Sequence, residues 1–339
     1  PLVGALDVKN GKIISRGYHN HFGGDHAEAA ALNVAGNRAK GATLYVSLEP
    51  CSHHGKTPPC VDRIISAGIN QVVIAMQDPN PLVNGNGIQK LRDHQITVNT
   101  GVCESEARLL NQPFIKFITT NAPYITLKLA QTLDGKIADR FGKSKWISSE
   151  SARMMVQDLR RRAGAVGVGI NTVIADNPYL TVREKNTGPQ PWRIIFDSKL
   201  RMPLSSHLIV DAHRNKTIII SGLSQQKTAK WNLLKKQGIL LIACSNTPDG
   251  LDLKEALKKL AVLKIAHLLV EGGSKIGSSL LKENLVDELV TFIAPKVFGS
   301  GLDGMHLKGF SAGQPLTFKR SKFEMCDRDV VHRGIFYEY

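Results

Sequence analysis

No run of about 18 apolar residues occurs in the 339-residue chain, so no transmembrane helix is expected. The first residues, Pro1-Leu2-Val3-Gly4, offer no initiator Met, no basic stretch and no apolar core, which argues against a signal peptide. They read as a chain that begins inside a domain. Cysteine is scarce and odd in number, five in all, and no Cys-x-x-Cys pair is present. That argues against a disulfide framework and a thioredoxin-type redox pair, and for a reducing, cytoplasmic compartment. Cys103, Cys244 and Cys326 are scattered and are expected as buried apolar filler. Aromatic residues are only 6% of the chain and do not interleave with Lys/Arg clusters, so a nucleic-acid track is poorly supported. No internal repeat, low-complexity tract or Gly-x-Gly-x-x-Gly run is found. The last absence removes the Rossmann dinucleotide fingerprint.

What is present is length for two ordinary domains and a net charge of +15 that is unevenly spread. Residues 1–120 carry eleven Lys/Arg against nine Asp/Glu, and residues 121–339 carry thirty-three against twenty. The basic second half suits phosphate-bearing small molecules or nucleic acid, or serves solubility alone. Both halves alternate short apolar runs with helix-like segments, which predicts α/β layers. Leu2–Val8 and Ile13–Tyr18 form an expected hairpin turned at Lys9-Asn10-Gly11. A helix is expected over His26–Ala39, a strand over Thr43–Leu48, a helix over Val61–Ala67 stopped by Gly68, and a strand over Gln71–Met76. Around Gln112–Pro123, the residues Pro113, Thr119, Thr120, Asn121 and Pro123 are expected to break any long helix, and the domain boundary is placed there. Beyond it Tyr124–Ala130, Ala165–Gly169, Arg193–Phe196, Thr217–Ile220, Leu240–Ala243 and His267–Val270 read as strands of a mainly parallel sheet. Glu184–Pro191 reads as a polar surface loop.

Two constellations carry chemistry. The first is His26-Ala27-Glu28 followed by Glu49-Pro50-Cys51 and Cys60. One imidazole and two thiols are the donor set of a catalytic zinc site that keeps a fourth position for water. A glutamate two residues after the histidine is placed to shuttle protons, as in zinc nucleobase deaminases, whose motif is His-x-Glu with Pro-Cys-x-x-Cys. Here eight residues, not two, separate Cys51 from Cys60. A structural zinc knot with His53 or His54 as fourth ligand is the plainer alternative, but it leaves Glu28 without a role. A redox pair leaves the whole His-x-Glu unexplained.

The second constellation is glycine-rich. His267-Leu268-Leu269-Val270 followed by Glu271-Gly272-Gly273-Ser274-Lys275-Ile276-Gly277-Ser278-Ser279 reads as strand, tight turn and helix, whose first amides can hold a phosphate. Gly167-Val168-Gly169-Ile170-Asn171-Thr172 looks like a second such turn. Packing alone would also account for either.

The stretch Glu49-Pro50-Cys51-Ser52-His53-His54-Gly55-Lys56-Thr57-Pro58-Pro59-Cys60 resembles the deaminase motif of the bifunctional riboflavin-biosynthesis family RibD, as do Gln77-Asp78-Pro79-Asn80-Pro81 and Gly17-Tyr18-His19. Downstream, Lys128–Lys136, Ser144-Lys145-Trp146-Ile147, Gly169–Pro178 and Val270-Glu271-Gly272-Gly273 are similar to the reductase part of that family, over about residue 124 to Ala294-Pro295-Lys296. The resemblance implies a cytidine-deaminase-like α/β/α domain over 1–120 and a dihydrofolate-reductase-like α/β domain over 121–339. It also implies a helical segment ahead of Pro1. It implies Zn²⁺ on His26, Cys51 and Cys60, with Glu28 as proton shuttle and His53, Lys56 and Asn80 on the ribose-phosphate side of a phosphorylated pyrimidine. In the second domain it implies NADPH along Ala130, Trp146, Thr172, Asp176, Ser198 and the turn Gly273, Ser274, Lys275, Ile276, Gly277, Ser278 and Ser279. Ser144, Arg160, Leu180, Arg183 and Glu271 would face the substrate. Guanidinium forks at Arg160 and Arg183 match a phosphate, although single arginines are commonly surface residues. Trp146 is equally readable as a core residue. Deamination would be followed by hydride transfer to the ring-opened ribose, with solvent, Lys128 or the substrate as proton source. A homo-oligomer is expected, with neither nucleic acid nor membrane as partner. The rivals are an RNA- or nucleoside-directed zinc deaminase with a basic binding module, and a non-catalytic zinc protein with a nucleotide-sensing domain.

Overall fold

The structure is a computed structural model that describes all residues except 22, 54–57, 82, 184–187, 308–310 and 312. The chain folds as two compact units, Pro1–Thr120 with Tyr339, and Asn121–Glu338.

The first unit opens with β1 (Gly4–Lys9) and β2 (Lys12–Tyr18). Asn10 and Gly11 join them, at φ 51° and 71°. Two successive left-handed residues make the turn whose twist matches a two-residue hairpin, so the pairing closes at Lys9 and Lys12, tighter than the three-residue turn expected. Next come α1 (Ala27–Ala35), β3 (Thr43–Leu48), α2 (Cys60–Ser66), β4 (Gln71–Met76), α3 (Asn86–Asp93), β5 (Thr97–Thr100), α4 (Glu104–Leu110) and α5 (Gln112–Thr120). The sheet order is β2-β1-β3-β4-β5, antiparallel at β1 and parallel from β3 onward. Helix α1 lies directly on β2 at Gly17, where a Cβ would stand 2.2 Å from the Ala27 carbonyl oxygen and 2.4 Å from the Ala31 nitrogen. Only glycine permits that approach. Ala27, Ala31, Leu32, Val61, Ile64, Ile88 and Leu91 then bury against Leu44, Val46, Val72 and Ile74.

Two expectations for this unit are corrected. The segment 112–120 is a helix rather than a break, because Pro113 sits in its first turn, where a missing N–H is costless. It ends at Asn121, which takes φ 51°. Cys103 is exposed, while Cys244 and Cys326 are buried as expected. Cys103 precedes α4 in a left-handed conformation, outside the core.

The second unit contains β6 (Tyr124–Thr132), β7 (Lys136–Asp139), α6 (Glu150–Ala163), β8 (Ala165–Gly169), α7 (Ile170–Asp176), β9 (Trp192–Phe196), α8 (His207–Val210), β10 (Thr217–Gly222), α9 (Ala229–Lys236) and β11 (Leu240–Cys244). There follow β12 (Asn246–Thr247), β13 (Gly250–Leu251), α10 (Leu253–Val262), β14 (His267–Glu271), α11 (Ser274–Lys282), β15 (Glu288–Ala294), β16 (Gly301–Asp303), β17 (Arg320–Cys326) and β18 (Asp329–Ile335). One nine-stranded sheet runs β11-β10-β9-β8-β14-β6-β15-β18-β17. Its first seven strands are parallel neighbours, and β18 and β17 add antiparallel at the end. Side chains alternate between its faces. Ile194, Ile218, Leu268 and Val270 pack on α10 and α11. Val166, Val168, Ile195 and Ile219 pack on α7, α8 and α9, and Leu269, Val290 and Phe292 on α6. The β17–β18 hairpin was not foreseen, since the last forty residues hold no motif.

Candidate active sites

In the first unit, His26 is the residue before α1 and Glu28 lies in that helix's first turn. Cys51 follows β3 by way of Glu49-Pro50, and Cys60 opens α2. Three separate elements therefore converge. The His26 Nδ1 atom is 3.5 Å from Cys51 Sγ and 3.3 Å from Cys60 Sγ, and the three donor atoms lie within 4.8 Å of one another. Tetrahedral Zn–S and Zn–N bonds of ~2.0–2.3 Å put ligand atoms roughly 3.4–3.8 Å apart, so the donor set and spacing fit zinc. Hydrogen bonds from the Cys60 thiol, and from His26 and the Cys60 amide, outweigh burial and bring the Cys51 thiol down to about 4. Its partner Cys60 moves the opposite way, because it donates to Cys51 and is itself buried. Glu28 is 3% exposed. Burial pushes its carboxyl up to about 7 despite hydrogen bonds from its own backbone amide and Cys60. A carboxyl titrating there can take and return a proton at neutral pH.

Of the residues expected on the substrate side, His53 is exposed and Asn80 half-buried, with the Asn80 amide donating to Asp78 Oδ1 at 2.8 Å. Lys56 lies outside the described residues. Not foreseen was Glu49, a buried carboxylate that accepts four backbone N–H groups, two from the loop following β4 and two from the first turn of α3. Nothing local in the sequence marks it, since its partners lie 29 to 39 residues away.

In the second unit a cleft of about 1240 Å³ opens at the carboxyl ends of β8, β9 and β14, alongside β6. Parallel sheets bind ligands at that edge. Ala130, Ser144, Trp146, Arg160, Thr172, Asp176, Leu180, Arg183, Ser198 and Glu271 all line it, as do Gly273, Ser274, Lys275, Ile276, Ser278 and Ser279. Gly277 does not. It faces the sheet, where a Cβ would lie 3.3 Å from Leu127, so its smallness serves helix–sheet packing. Gly272 and Gly273 both take positive φ, and Gly273 caps α11, whose free amides face the cleft beside Thr172. That arrangement fits the phosphates of a dinucleotide. Trp146 is 64% exposed, which removes the core reading, and the Arg153 guanidinium stacks on it at 4.5 Å.

Charge in this cleft is concentrated. Arg160 grips Glu271 with Nε–Oε1 at 2.5 Å and Nη2–Oε2 at 2.8 Å, and donates to the Thr181 carbonyl at 2.8 Å. Burial disfavours the Glu271 anion, yet the charge and hydrogen bonds of Arg160, with the charges of Lys128 and Arg183, together outweigh it and keep the carboxyl below its usual range. One edge of Arg160 is thus already occupied. Lys128 on β6 is pulled below the ordinary lysine value by burial, partly offset by Glu271. Arg183 is exposed and makes no salt bridge among the described residues, which leaves it the more available guanidinium. Tyr179 and His207, stacked at 4.0 Å, also line the cleft and were not foreseen. Single aromatic and imidazole side chains in a loop carry no spacing signal.

A His/Cys/Cys pocket with a buried glutamate in one unit, and a phosphate-ready cleft at a parallel sheet edge in the other, define a deaminase joined to a nucleotide-dependent reductase. The comparisons agree. Residues 1–76 match the family model for the cytidine and deoxycytidylate deaminase zinc-binding region, and residues 123–332 match that for the RibD C-terminal domain. Riboflavin biosynthesis protein RibD of Aquifex aeolicus is 50% identical over 331 residues, spanning 98% of this chain and 91% of that one. Among solved structures, Acinetobacter baumannii RibD superposes with a TM-score of 0.87 at 37% identity, covering 98% of this chain and 91% of that one. A Thermotoga maritima diaminohydroxyphosphoribosylaminopyrimidine deaminase/5-amino-6-(5-phosphoribosylamino)uracil reductase gives 0.85 at 38%, covering 99% and 92%.

The chain belongs to the RibD family. It is a bifunctional deaminase and reductase of riboflavin biosynthesis, with a zinc-binding deaminase domain and a reductase domain that uses NADPH. Among the described residues no helix is long and apolar enough to cross a membrane.

Proposed function

We propose that residues 1–120 deaminate 2,5-diamino-6-(5-phosphoribosylamino)pyrimidin-4-one and that residues 121–339 reduce the ribosyl group of the product to ribityl. The observation that carries the first step is the convergence of His26, Cys51 and Cys60 within 4.8 Å, with buried Glu28 bonded to the same cluster. These three side chains would hold the zinc. When bound, it supplies the Lewis acidity that brings the ionisation of water into the neutral range. Glu28 takes a proton from the attacking water and delivers it to the departing amine, leaving a carbonyl and ammonia. His53, Lys56 and Asn80 hold the ribose-phosphate side.

NADPH held in the second cleft would supply the hydride that the second step needs at C1′ of the opened ribose. The free amides of Gly273, Ser274, Lys275 and Ile276 at the start of α11 would take the pyrophosphate, with Ser278 and Ser279 lining the same wall, while Ala130, Trp146, Thr172, Asp176 and Ser198 would complete the cofactor's bed. Arg183 takes the substrate 5′-phosphate. Arg160 holds Glu271 in place beside Lys128, and Ser144 and Leu180 close the substrate side. The cluster of Arg160, Arg183, Lys128 and Glu271 in one cleft supports this reading.

The enzyme acts in the cytoplasm as a homo-oligomer. Five free cysteines fit a reducing compartment. Phe323 and Met325, 65% and 68% exposed on the edge strand β17, fit a covered surface. The test incubates purified protein with the pyrimidine, with and without NADPH, and identifies products by mass. Deaminated pyrimidine is expected without NADPH and its ribityl form with it. No deaminated product from zinc-replete protein overturns the assignment.

A further inference from the structure

Glu49 is the residue before Pro50 and Cys51, at the exit of β3, and only 3% of it is exposed. Its Oε2 accepts the amides of Asp78 at 3.1 Å and Gly85 at 2.9 Å, and its Oε1 those of Gly87 at 2.9 Å and Ile88 at 3.2 Å. Four bonds fill what a carboxylate can accept. A buried carboxylate is costly unless so satisfied, and charge-assisted bonds are the strong ones. Three of the four donors, Gly85, Gly87 and Ile88, are the cap and first-turn amides of α3, so a side chain from another strand caps this helix. The backbones are equally close: a Cβ on Gly87 would stand 2.1 Å from the Pro50 carbonyl oxygen. The fourth donor, Asp78, accepts the Asn80 amide on its own carboxylate at 2.8 Å. One carboxylate therefore ties the turn that carries Cys51 to the loop that carries Asn80.

We infer that Glu49 is a positioning residue for deamination. It holds the Asp78–Ile88 loop at a set distance from the Cys51 turn, so that Asn80 meets the substrate while the His26, Cys51 and Cys60 cluster acts on it. The inference rests on the proposed role of Asn80. Glu49→Gln replaces one oxygen with an amide that turns its own N–H groups toward two backbone donors, which breaks the tie with little change in volume.

The test uses the full-length, zinc-replete enzyme with Glu49→Gln, Glu49→Asp, Asn80→Ala and the Glu49→Gln/Asn80→Ala pair. The Gln variant should keep the wild-type zinc content and the reduction rate. Amide exchange at Asp78, Gly85, Gly87 and Ile88 should quicken at least tenfold, and the deamination KM should rise at least tenfold with kcat within about threefold. Asn80→Ala should raise KM in the wild-type background and add less than twofold in the Gln background, because the loop is already released. Glu49→Asp keeps the charge and should show the same pattern at smaller amplitude, which covers a Gln variant that does not fold. Zinc loss, or a fall in kcat at unchanged KM, overturns the inference and makes Glu49 a support of the metal turn or the fold. Additive KM effects overturn the route through Asn80. An Asn80→Ala variant with unchanged KM overturns the proposed role of Asn80 itself, and is read independently of Glu49.

Discussion

Removing Arg160 should damage the second unit far more than its place in a ligand cleft suggests. The guanidinium makes a two-pronged bond to Glu271 at 2.5 and 2.8 Å, with side chains only 8% and 12% exposed. It also donates to Thr181 in the loop leading to Arg183. Arg160→Met leaves the Glu271 carboxylate buried with only the weaker influence of Lys128 and Arg183 to offset it, and breaking such a pair costs about 3–5 kcal/mol. For a domain of about 150–250 residues that lowers Tm by roughly 6–20 °C, at ~2–4 °C per kcal/mol. Replacing both partners by apolar side chains, Arg160→Met with Glu271→Met, should recover most of the loss, because the uncompensated charge has gone. In that setting Lys128 loses both the Glu271 charge that favours its proton and the Arg160 charge that opposes it, so its balance changes little. Calorimetry of the wild type, both single variants and the pair yields the coupling energy, expected at about 2 kcal/mol or more. NADPH oxidation should be lost in every variant and deamination should persist. A cost under about 1 kcal/mol for Arg160→Met, or a pair no better than the sum of the singles, refutes this account of the cleft.

Glu28→Gln should abolish deamination while elemental analysis still finds the wild-type zinc content, because in the proposed mechanism this side chain moves protons and the metal is left to His26, Cys51 and Cys60. Arg183→Ala should weaken capture of the phosphorylated substrate roughly ten- to hundredfold, from about 1.5–3 kcal/mol for a charged hydrogen bond. NADPH affinity, measured by titration, should change much less. Burial holds His267 neutral down to about 4 against its ordinary 6.5, where it lies against Tyr124 and 2.9 Å from the Thr126 hydroxyl. Its contribution is present above 6.5 and is lost as pH falls toward 4, so denaturant unfolding should show stability dropping across that window. His267→Phe should flatten that slope, and an unchanged slope counts against the assignment.

Short-range chemistry was legible from the chain alone. Asn10-Gly11 announced a hairpin because few residue pairs tolerate two left-handed positions. His26, Glu28, Cys51 and Cys60 announced a metal pocket because zinc accepts few donor sets, and the six expected parallel strands announced themselves as apolar runs between helices. Long-range pairing was not legible. Glu49 accepts amides up to 39 residues away, and Arg160 is committed to Glu271, 111 residues away. Neither partner carries a local mark, since any Glu or Arg reads alike until a fold excludes water around it. The same holds for α5, where the proline that suggested a break falls in a first turn that tolerates it. It holds too for β18, whose pairing with β15 depends on a neighbouring strand and not on a motif, and for β17, which pairs with β18 in turn. Spacing and residue type fix which atoms can do chemistry; burial and the partners that tertiary packing brings decide the charge each one carries and what holds it in place.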